Sequence, residues 1–244
     1  MKWFSGLKKK QLESIDFSIL NTDMHSHLIP GIDDGSQDLH ESLNLIFALQ
    51  ELGFSKIITT PHTMSDFYNN TSEVIINGQK DVQNALDKID TKIEFMAASE
   101  YYVDFDFEKK IDKKEFLTFG SKYILIEFPF IDEPINIDKI VFNLQLAGYN
   151  VVLAHPERYL YYKLKDYERL TNKGIFLQLN LLSITGYYTK EVKKQAEKLI
   201  NADLVSFAGT DCHNMRQIDY LKKCFTNPLW HKLSVSKKLL NSSL

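Results

Sequence analysis

The chain has 244 residues, 44% apolar and 25% charged, with a formal net charge of −3. These are ordinary globular values without low complexity, and the charge gives no long-range pull toward nucleic acid, for which "KKK" at Lys8–Lys10 is too short. Cys212 and Cys224 are the only cysteines and no CxxC exists, which excludes a disulfide framework and a thiolate zinc knuckle. No run approaches 18 consecutive apolar residues, so no membrane-spanning helix is expected. The opening "MKWFSGLKKK" lacks the apolar stretch of a signal peptide. A cytoplasmic protein is expected, with Trp3, Phe4 and the lysines a weak signal for peripheral attachment. The length suits one domain, residues 1–244, in which residues 1–17 read as an N-terminal extension.

In chain order, "SIL" leads into a first strand and loop, "DMHSHLI". "DLHESLNLIFALQELGF" predicts a helix: Leu39, Leu43, Ile46, Leu49 and Leu52 recur at helical spacing, and Gly53 supplies a stop. "KIITTPH" predicts a second strand ended by Pro61. A polar loop and a helix, "EVIINGQKDVQNALDKI", follow, then a strand, "IEFMAASEYY", with Glu100 near its end. "YILIEFP" is the next strand, with Glu127 near its end; "IDKIVFNLQLAGY" reads as a helix and "NVVLAHPERY" as a strand and loop. "GIFLQLNLLSITG" reads as one buried strand, "TKEVKKQAEKLI" as a helix with Val192, Ala196 and Leu199 on one side, and "ADLVSFAGTDCHN" as a last strand and loop before short helical patterns.

Short apolar strands alternating with helices predict an α/β fold with a parallel sheet covered on both faces. Polar groups recur at one place, the C-terminal ends of the strands: His25 and His27, His62, Glu100, Glu127, His155, then Asp211 and His213. In an α/β barrel those ends converge on one mouth. Alone, HxH is weak, since two imidazoles at a strand end are readily satisfied by carbonyls or water. The combination is stronger. A carboxylate ending the apolar run "YILIEF" costs several kcal/mol of desolvation unless it is paired, and a salt bridge or a cation would offset that. Mixed imidazole and carboxylate donors suit manganese, iron or zinc.

Asp23 alternates with His25 and suits either orienting a ligand or accepting a strand-start hydrogen bond. Asp33 and Asp34 share the turn "PGIDDGS", where one could be a ligand and the other a helix cap; Asp38 suits a cap. Arg158, after His155, suits either a fork on phosphate oxygens or an ion pair with Glu157. Arg216 carries the same expectation more loosely. Tyr101, Tyr102, Phe128 and Phe130 suit either the mouth, against an aromatic substrate, or packing. Cys212 lacks the phosphate loop of cysteine phosphatases and is not read as a nucleophile.

"DMHSHLIPGIDDGS", "TPH", "SEYY", "EFP", "AHPERY" and "GTDCHN" resemble the PHP (polymerase and histidinol phosphatase) superfamily, most of all its bacterial tyrosine-protein phosphatase branch linked to capsule and exopolysaccharide biosynthesis. The resemblance runs from Asn21 to Trp230. It implies a distorted (β/α)7 TIM-like barrel, the PHP fold, with three divalent ions at the mouth: manganese first, iron or zinc as alternatives. By resemblance, His25, His27, Glu100 and Asp211 hold one ion. Glu100 bridges to a second, held also by Glu127 and His155, and Asp34, His62 and His213 hold the third. Arg158 matches the family's phosphate-binding arginine, and Arg216 looks like a second. The implied activity is hydrolysis of phosphotyrosine, by water activated at the metals, on a capsule-associated tyrosine kinase. A small-molecule phosphomonoesterase of the histidinol-phosphatase type and a noncatalytic phosphoprotein-binding module are the competing readings. Homo-oligomers occur in the family, while nucleic acid and stable membrane insertion are not expected. The loops "TPHTMSDFYNN" and "VDFDFEKKIDKK" depart from the family pattern.

Overall fold

A computed structural model describes residues 12–89 and 91–244; Lys8–Lys10, Trp3 and Phe4 lie outside them. Among the described residues, nine parallel strand segments build the centre: β1 (Thr22–Asp23), β2 (Lys56–Thr59), β3 (His62–Thr63), β4 (Glu94–Ala97), β5 (Glu100–Tyr102), β6 (Tyr123–Glu127), β7 (Asn150–Ala154), β8 (Phe176–Asn180) and β9 (Phe207–Gly209). They pair in the orders β1-β2-β4 and β3-β5-β6-β7-β8-β9.

These segments make seven strand paths, because β2 continues into β3 and β4 into β5. Pro61 interrupts the path of β2 and β3: it has no N–H to donate to the ladder. Single bonds carry the pairing across the break, Ala98 N–H to the Thr59 carbonyl at 2.9 Å and Glu100 N–H to the Pro61 carbonyl at 3.1 Å. The ring closes between the first path and the last. Asp211 N–H donates to the His25 carbonyl at 2.7 Å, His27 N–H donates to the Cys212 carbonyl at 2.9 Å, and Ser26 bridges Cys212 in parallel. The result is a distorted (β/α)7 barrel.

Side-chain alternation separates two cores. Ile124, Ile126, Val151 and Leu153 join the large outer cluster beneath the helices. Leu125, Val152 and Ala154, their neighbours along the same strands, join Met24, Ile58, Ala98, Phe119 and Phe207 in a smaller cluster that plugs the barrel. The polar strand ends sit above this plug.

The helices are α1 (Leu39–Glu51), α2 (Ser72–Asp87), α3 (Phe107–Lys113), α4 (Ile137–Leu146), α5 (Leu164–Asn172), α6 (Leu181–Thr185), α7 (Lys190–Asn201), α8 (Met215–Lys222) and α9 (Pro228–Ser234). Asp38 caps α1 by accepting from Glu41 N–H at 2.8 Å. The buried stripe of α1 is Leu45, Ile46, Ala48 and Leu49, whereas Leu39 is exposed. The run "GIFLQLNLLSITG" is not one strand. β8 stops at Asn180, whose side chain accepts from Leu182 N–H at 2.9 Å and starts α6, and Gly186 closes that helix at φ +84°. Both halves are buried, so apolar content gave no sign of the break. Helices α3 and α5 were not expected.

The N-terminal part is not detached from the body from Ile15 onward. Ile15 N–H donates to the Phe225 carbonyl at 3.0 Å and Trp230 Nε1 donates to the Ile15 carbonyl at 2.9 Å. Phe17 and Trp230, both fully buried, meet edge-on at 5.1 Å. Each such side chain stabilises the fold by roughly 1.5–3 kcal/mol. Among the described residues no helix is long and apolar enough to cross a membrane.

Candidate metal centre

Five imidazoles and four carboxylates meet above the plug. Their donor atoms fall into overlapping sets, each within 4.8 Å: His25, His27 and Glu100; His25, His155 and Asp211; His62, Glu100 and Glu127; and His27, Asp34, His62 and His213. All nine strand-end and loop residues expected to be ligands are therefore brought together, in one continuous cage. His27 connects inner and outer parts, its ring stacked on His213 at 3.9 Å. Exposure is graded: the side chains of His25, His27 and Glu100 are fully buried, those of His62 and His213 are slightly open, and that of Asp34 is 53% exposed.

Local backbone aims these groups. Asp211 at φ +51° and His155 at φ +32° adopt the left-handed region, sparsely populated by residues other than glycine. Ala154 faces the plug, so strict alternation would turn His155 away; the left-handed step turns it back. Gly209 leaves room for His25, since a Cβ there would lie 2.7 Å from the His25 Cβ.

A layer of hydrogen bonds fixes the rings. His25 Nδ1 donates to Gln178 Oε1 at 2.8 Å, His27 Nδ1 to Asp33 Oδ2 at 2.8 Å, and His213 Nδ1 to the Asp211 carbonyl at 2.8 Å. With Nδ1 so engaged, each Nε2 offers its lone pair to the cage. Asp33 also accepts from Gly35 N–H and His62 N–H, both at 3.0 Å. In "DD", Asp33 thus holds His27 while Asp34 reaches the cage, and neither caps α1. Asp33→Asn should weaken cation binding about 10–100-fold while leaving the fold intact. Metal titration of the purified variant checks this, and wild-type affinity would deny Asp33 that role.

The charges oppose burial. Burial favours protonation of Glu100 and Asp211, but His25, with His62 beside Glu100 and His27 beside Asp211, outweighs it and holds both carboxyls well below the usual range. Burial disfavours the charged imidazoles, yet Glu100 and its neighbours bring His25 up to about 9 and His62 up to about 10. Burial, then the charge of Glu100, raises Glu127 to about 8; burial, then Arg158, lowers His155 to about 4. A cation would displace the imidazole protons.

The donors fit such cations. Two donors on one ion with bonds of about 2.1 Å lie about 3.0–3.4 Å apart. His25 Nε2 lies 3.4 Å from His27 Nε2, 3.3 Å from Glu100 Oε2 and 3.5 Å from Asp211 Oδ1, and His27 Nε2 lies 3.4 Å from Asp211 Oδ1. Glu100 Oε2 and His62 Nδ1, though 3.0 Å apart, are buried without a hydrogen bond among the described residues. The two atoms face one another within a nitrogen–oxygen donor set, so their pairing is electrostatic and leaves both lone-pair directions open to a cation.

A cavity of about 520 Å³ opens over the cage, lined by Tyr68, Tyr102, Phe130, Arg158, Tyr187 and Tyr188 among others. Arg158 is clamped between Phe130, 4.4 Å from the ring centroid, and Tyr188, at 4.9 Å, with Nη1 3.5 Å from Asp211 Oδ2. Its alternative partner, Glu157, is turned away: it accepts from Asn180 N–H at 3.0 Å and Ser183 Oγ at 2.6 Å, and burial raises it to about 7. Arg216 is exposed on the first turn of α8 and is not brought to the cavity wall. Tyr102 and Phe130 line the cavity, whereas Tyr101 and Phe128 are buried in packing. Asp23 accepts from Thr210 N–H at 2.9 Å and Oγ1 at 2.8 Å, a strand-end brace rather than an orienter of His25. Cys212 is fully buried and its thiol is pushed far up by burial, as suits a residue that is no nucleophile.

Gln178, Asn180 and Tyr188 were missed in the sequence. Asn180 Nδ2 donates to Asp211 Oδ2 at 2.7 Å and the Tyr188 hydroxyl to the same oxygen at 3.2 Å. The two polar residues of "FLQLN", spaced two apart in an apolar run, were the available signal.

The family described as capsular polysaccharide synthesis, CpsB/CapC, matches residues 21–233. The tyrosine-protein phosphatase YwqE of Bacillus subtilis strain 168 is 30% identical over 236 residues, spanning 89% of this chain and 90% of that protein. The tyrosine-protein phosphatase CpsB of Streptococcus agalactiae is 28% identical over 201 residues, spanning 79% and 83%. A crystal structure from work on YwqE of Bacillus subtilis and CpsB of Streptococcus pneumoniae, described as metal-dependent tyrosine phosphatases, superposes with a TM-score of 0.76 at 29% identity, covering 91% of this chain and 94% of that one. An amidohydrolase from Mycoplasma synoviae, 13% identical with a TM-score of 0.59, shares the fold.

Proposed function

The chain belongs to the CpsB/CapC family of capsular polysaccharide synthesis, and from that premise we propose that it is a metal-dependent protein-tyrosine phosphatase whose substrate is a capsule-associated tyrosine kinase. The observation that carries the reading is the donor cage around the buried Glu100 carboxylate, which has four imidazole nitrogens within 3.5 Å, with a clamped arginine at its wall. The whole chain acts as one PHP-type domain on the cytoplasmic side, brought to the membrane by its kinase.

His25, His27, Glu100 and Asp211 would hold one cation. Glu100, Glu127 and His155 would hold a second, and Asp34, His62 and His213 a third; manganese, with iron or zinc as alternatives, suits this mixed imidazole–carboxylate, thiolate-free set. Divalent ions there lower the pKa of water and draw charge from phosphoryl oxygens. Four carboxylates against three dications leave roughly +2, a match for a phosphate dianion. Arg158 meets the phosphate from the cavity wall, its plane fixed by Phe130 and Tyr188, so little ordering remains to be done at the moment of reaction. Tyr68, Tyr102 and Phe130 give the phenyl ring of phosphotyrosine apolar walls. Glu157, Asn180 and Gln178 act behind the cage, keeping its shape.

Manganese-loaded protein should release phosphate from phosphotyrosine peptides and from p-nitrophenyl phosphate. Release from histidinol phosphate but not from peptide would shift the assignment to a small-molecule phosphatase. Tight phosphopeptide binding without release would make the protein a binding module.

A further inference from the structure

A second recess, of about 560 Å³, opens beside the metal cavity. Tyr102 and Phe130 line the cavity, while their chain neighbours Val103, Asp104, Pro129 and Ile131 line the recess. Val103 N–H donates to the Glu127 carbonyl at 2.9 Å, which ties the two stretches together. The recess therefore starts at the rim where a phosphorylated side chain enters.

Its surface is apolar and negative. Ile131, Ile135 and Phe105 are 92%, 87% and 70% exposed, a concentration of large apolar groups that marks interaction sites. Among the described residues, four carboxylates share the lining and no basic side chain does. Glu108 is engaged by Lys139 at 2.7 Å and Glu133 by Arg169 at 2.8 Å. Asp104 and Asp132 meet no cation among the described residues. Asp104 accepts from the N–H groups of Ser65 at 2.9 Å and Asp106 at 3.0 Å, and Asp132 from Glu133 N–H at 2.8 Å. This charge repels an anionic bilayer and complements a basic one-sided polypeptide.

We propose that the recess binds the polypeptide flanking the phosphotyrosine, seating an apolar side chain against Ile131 and Ile135 and a lysine or arginine against Asp104 and Asp132. This rests on the phosphotyrosine reading of the neighbouring cage and deepens it by naming the flanking chemistry. Three phosphotyrosine peptides test it, with flanks of leucine plus arginine, alanine only, or leucine plus glutamate, each flank placed on either side. The leucine–arginine peptide should show kcat/KM about tenfold above the alanine peptide, mainly through KM. Asp132→Lys should abolish that advantage and favour the glutamate peptide, and Ile135→Ser should remove the leucine contribution. Both variants should hydrolyse p-nitrophenyl phosphate as the wild type does. Affinities of the matching non-hydrolysable phosphonate peptides, read by fluorescence anisotropy, should follow the same order, so the recess is tested even if turnover fails. Equal kcat/KM and equal affinity for all three peptides would overturn the proposal, as would a change of oligomeric state in either variant, which would make the recess a self-interface. Absence of turnover on every phosphotyrosine peptide, with the affinity order intact, would overturn the phosphatase reading and leave the recess standing.

Discussion

Glutamine in place of Glu100 is expected to cost the protein most of its bound cations and about 10³-fold in turnover. The carboxylate is fully buried, and its Oε2 lies 3.3 Å from His25 Nε2, 3.5 Å from His27 Nε2 and 3.0 Å from His62 Nδ1, while Oε1 accepts from His155 Nε2 at 3.0 Å. No other group in the cage touches four imidazoles. The amide removes a negative charge from the point where positive charge gathers, and a buried charge left without its partner costs several kcal/mol. Cations of this kind supply several kcal/mol of charge stabilisation, and each 1.36 kcal/mol is tenfold in rate. Metal content and phosphate release of the purified variant are the readouts, with circular dichroism to establish that it is folded. A folded variant with full metal content and near-wild-type turnover would remove Glu100 from the centre of the account.

Arg158→Ala is expected to separate binding of cations from use of the phosphate. The guanidinium has no lone pair to offer a metal, and its closest carboxylate contact is the 3.5 Å approach to Asp211. Cation content should therefore stay at the wild-type level while turnover of p-nitrophenyl phosphate and of phosphopeptides falls about 10²–10³-fold, the range for loss of one preorganised charge-stabilising donor. Arg158→Lys should recover only part of this, because an ammonium keeps the charge but loses the fork and the stacking between Phe130 and Tyr188. Loss of metal in step with loss of turnover would make Arg158 a support for Asp211 instead.

The strand ends were the most legible feature of the sequence. His25, His27, His62, Glu100, Glu127, His155, Asp211 and His213 each follow a short apolar run, and in a parallel barrel position along the strand decides which mouth a residue reaches. What alternation could not supply was aim: His155 depends on a left-handed backbone step that nothing in "AHPE" announces. The turn alone left Asp33 and Asp34 open as ligand, because both suit it, and only the resemblance pointed to Asp34; the fold brings Nδ1 of His27 to Asp33. Gln178 and Asn180 were hidden in a run read as a buried strand, and α6 with them, since a fully buried helix and a fully buried strand share the same apolar content. Helices α3 and α5 are short, with few buried apolar residues to set a period. Arg216 sits next to the "DCHN" motif in the chain, yet the turn into α8 carries it out to solvent.

Elemental analysis of the active, purified protein, taken before and after chelation alongside its phosphatase rate, tests the cage most directly. A catalytic metal cage requires several divalent ions per chain, lost together with activity on chelation and regained together when manganese is restored. Full activity in protein that holds no such ions would contradict it.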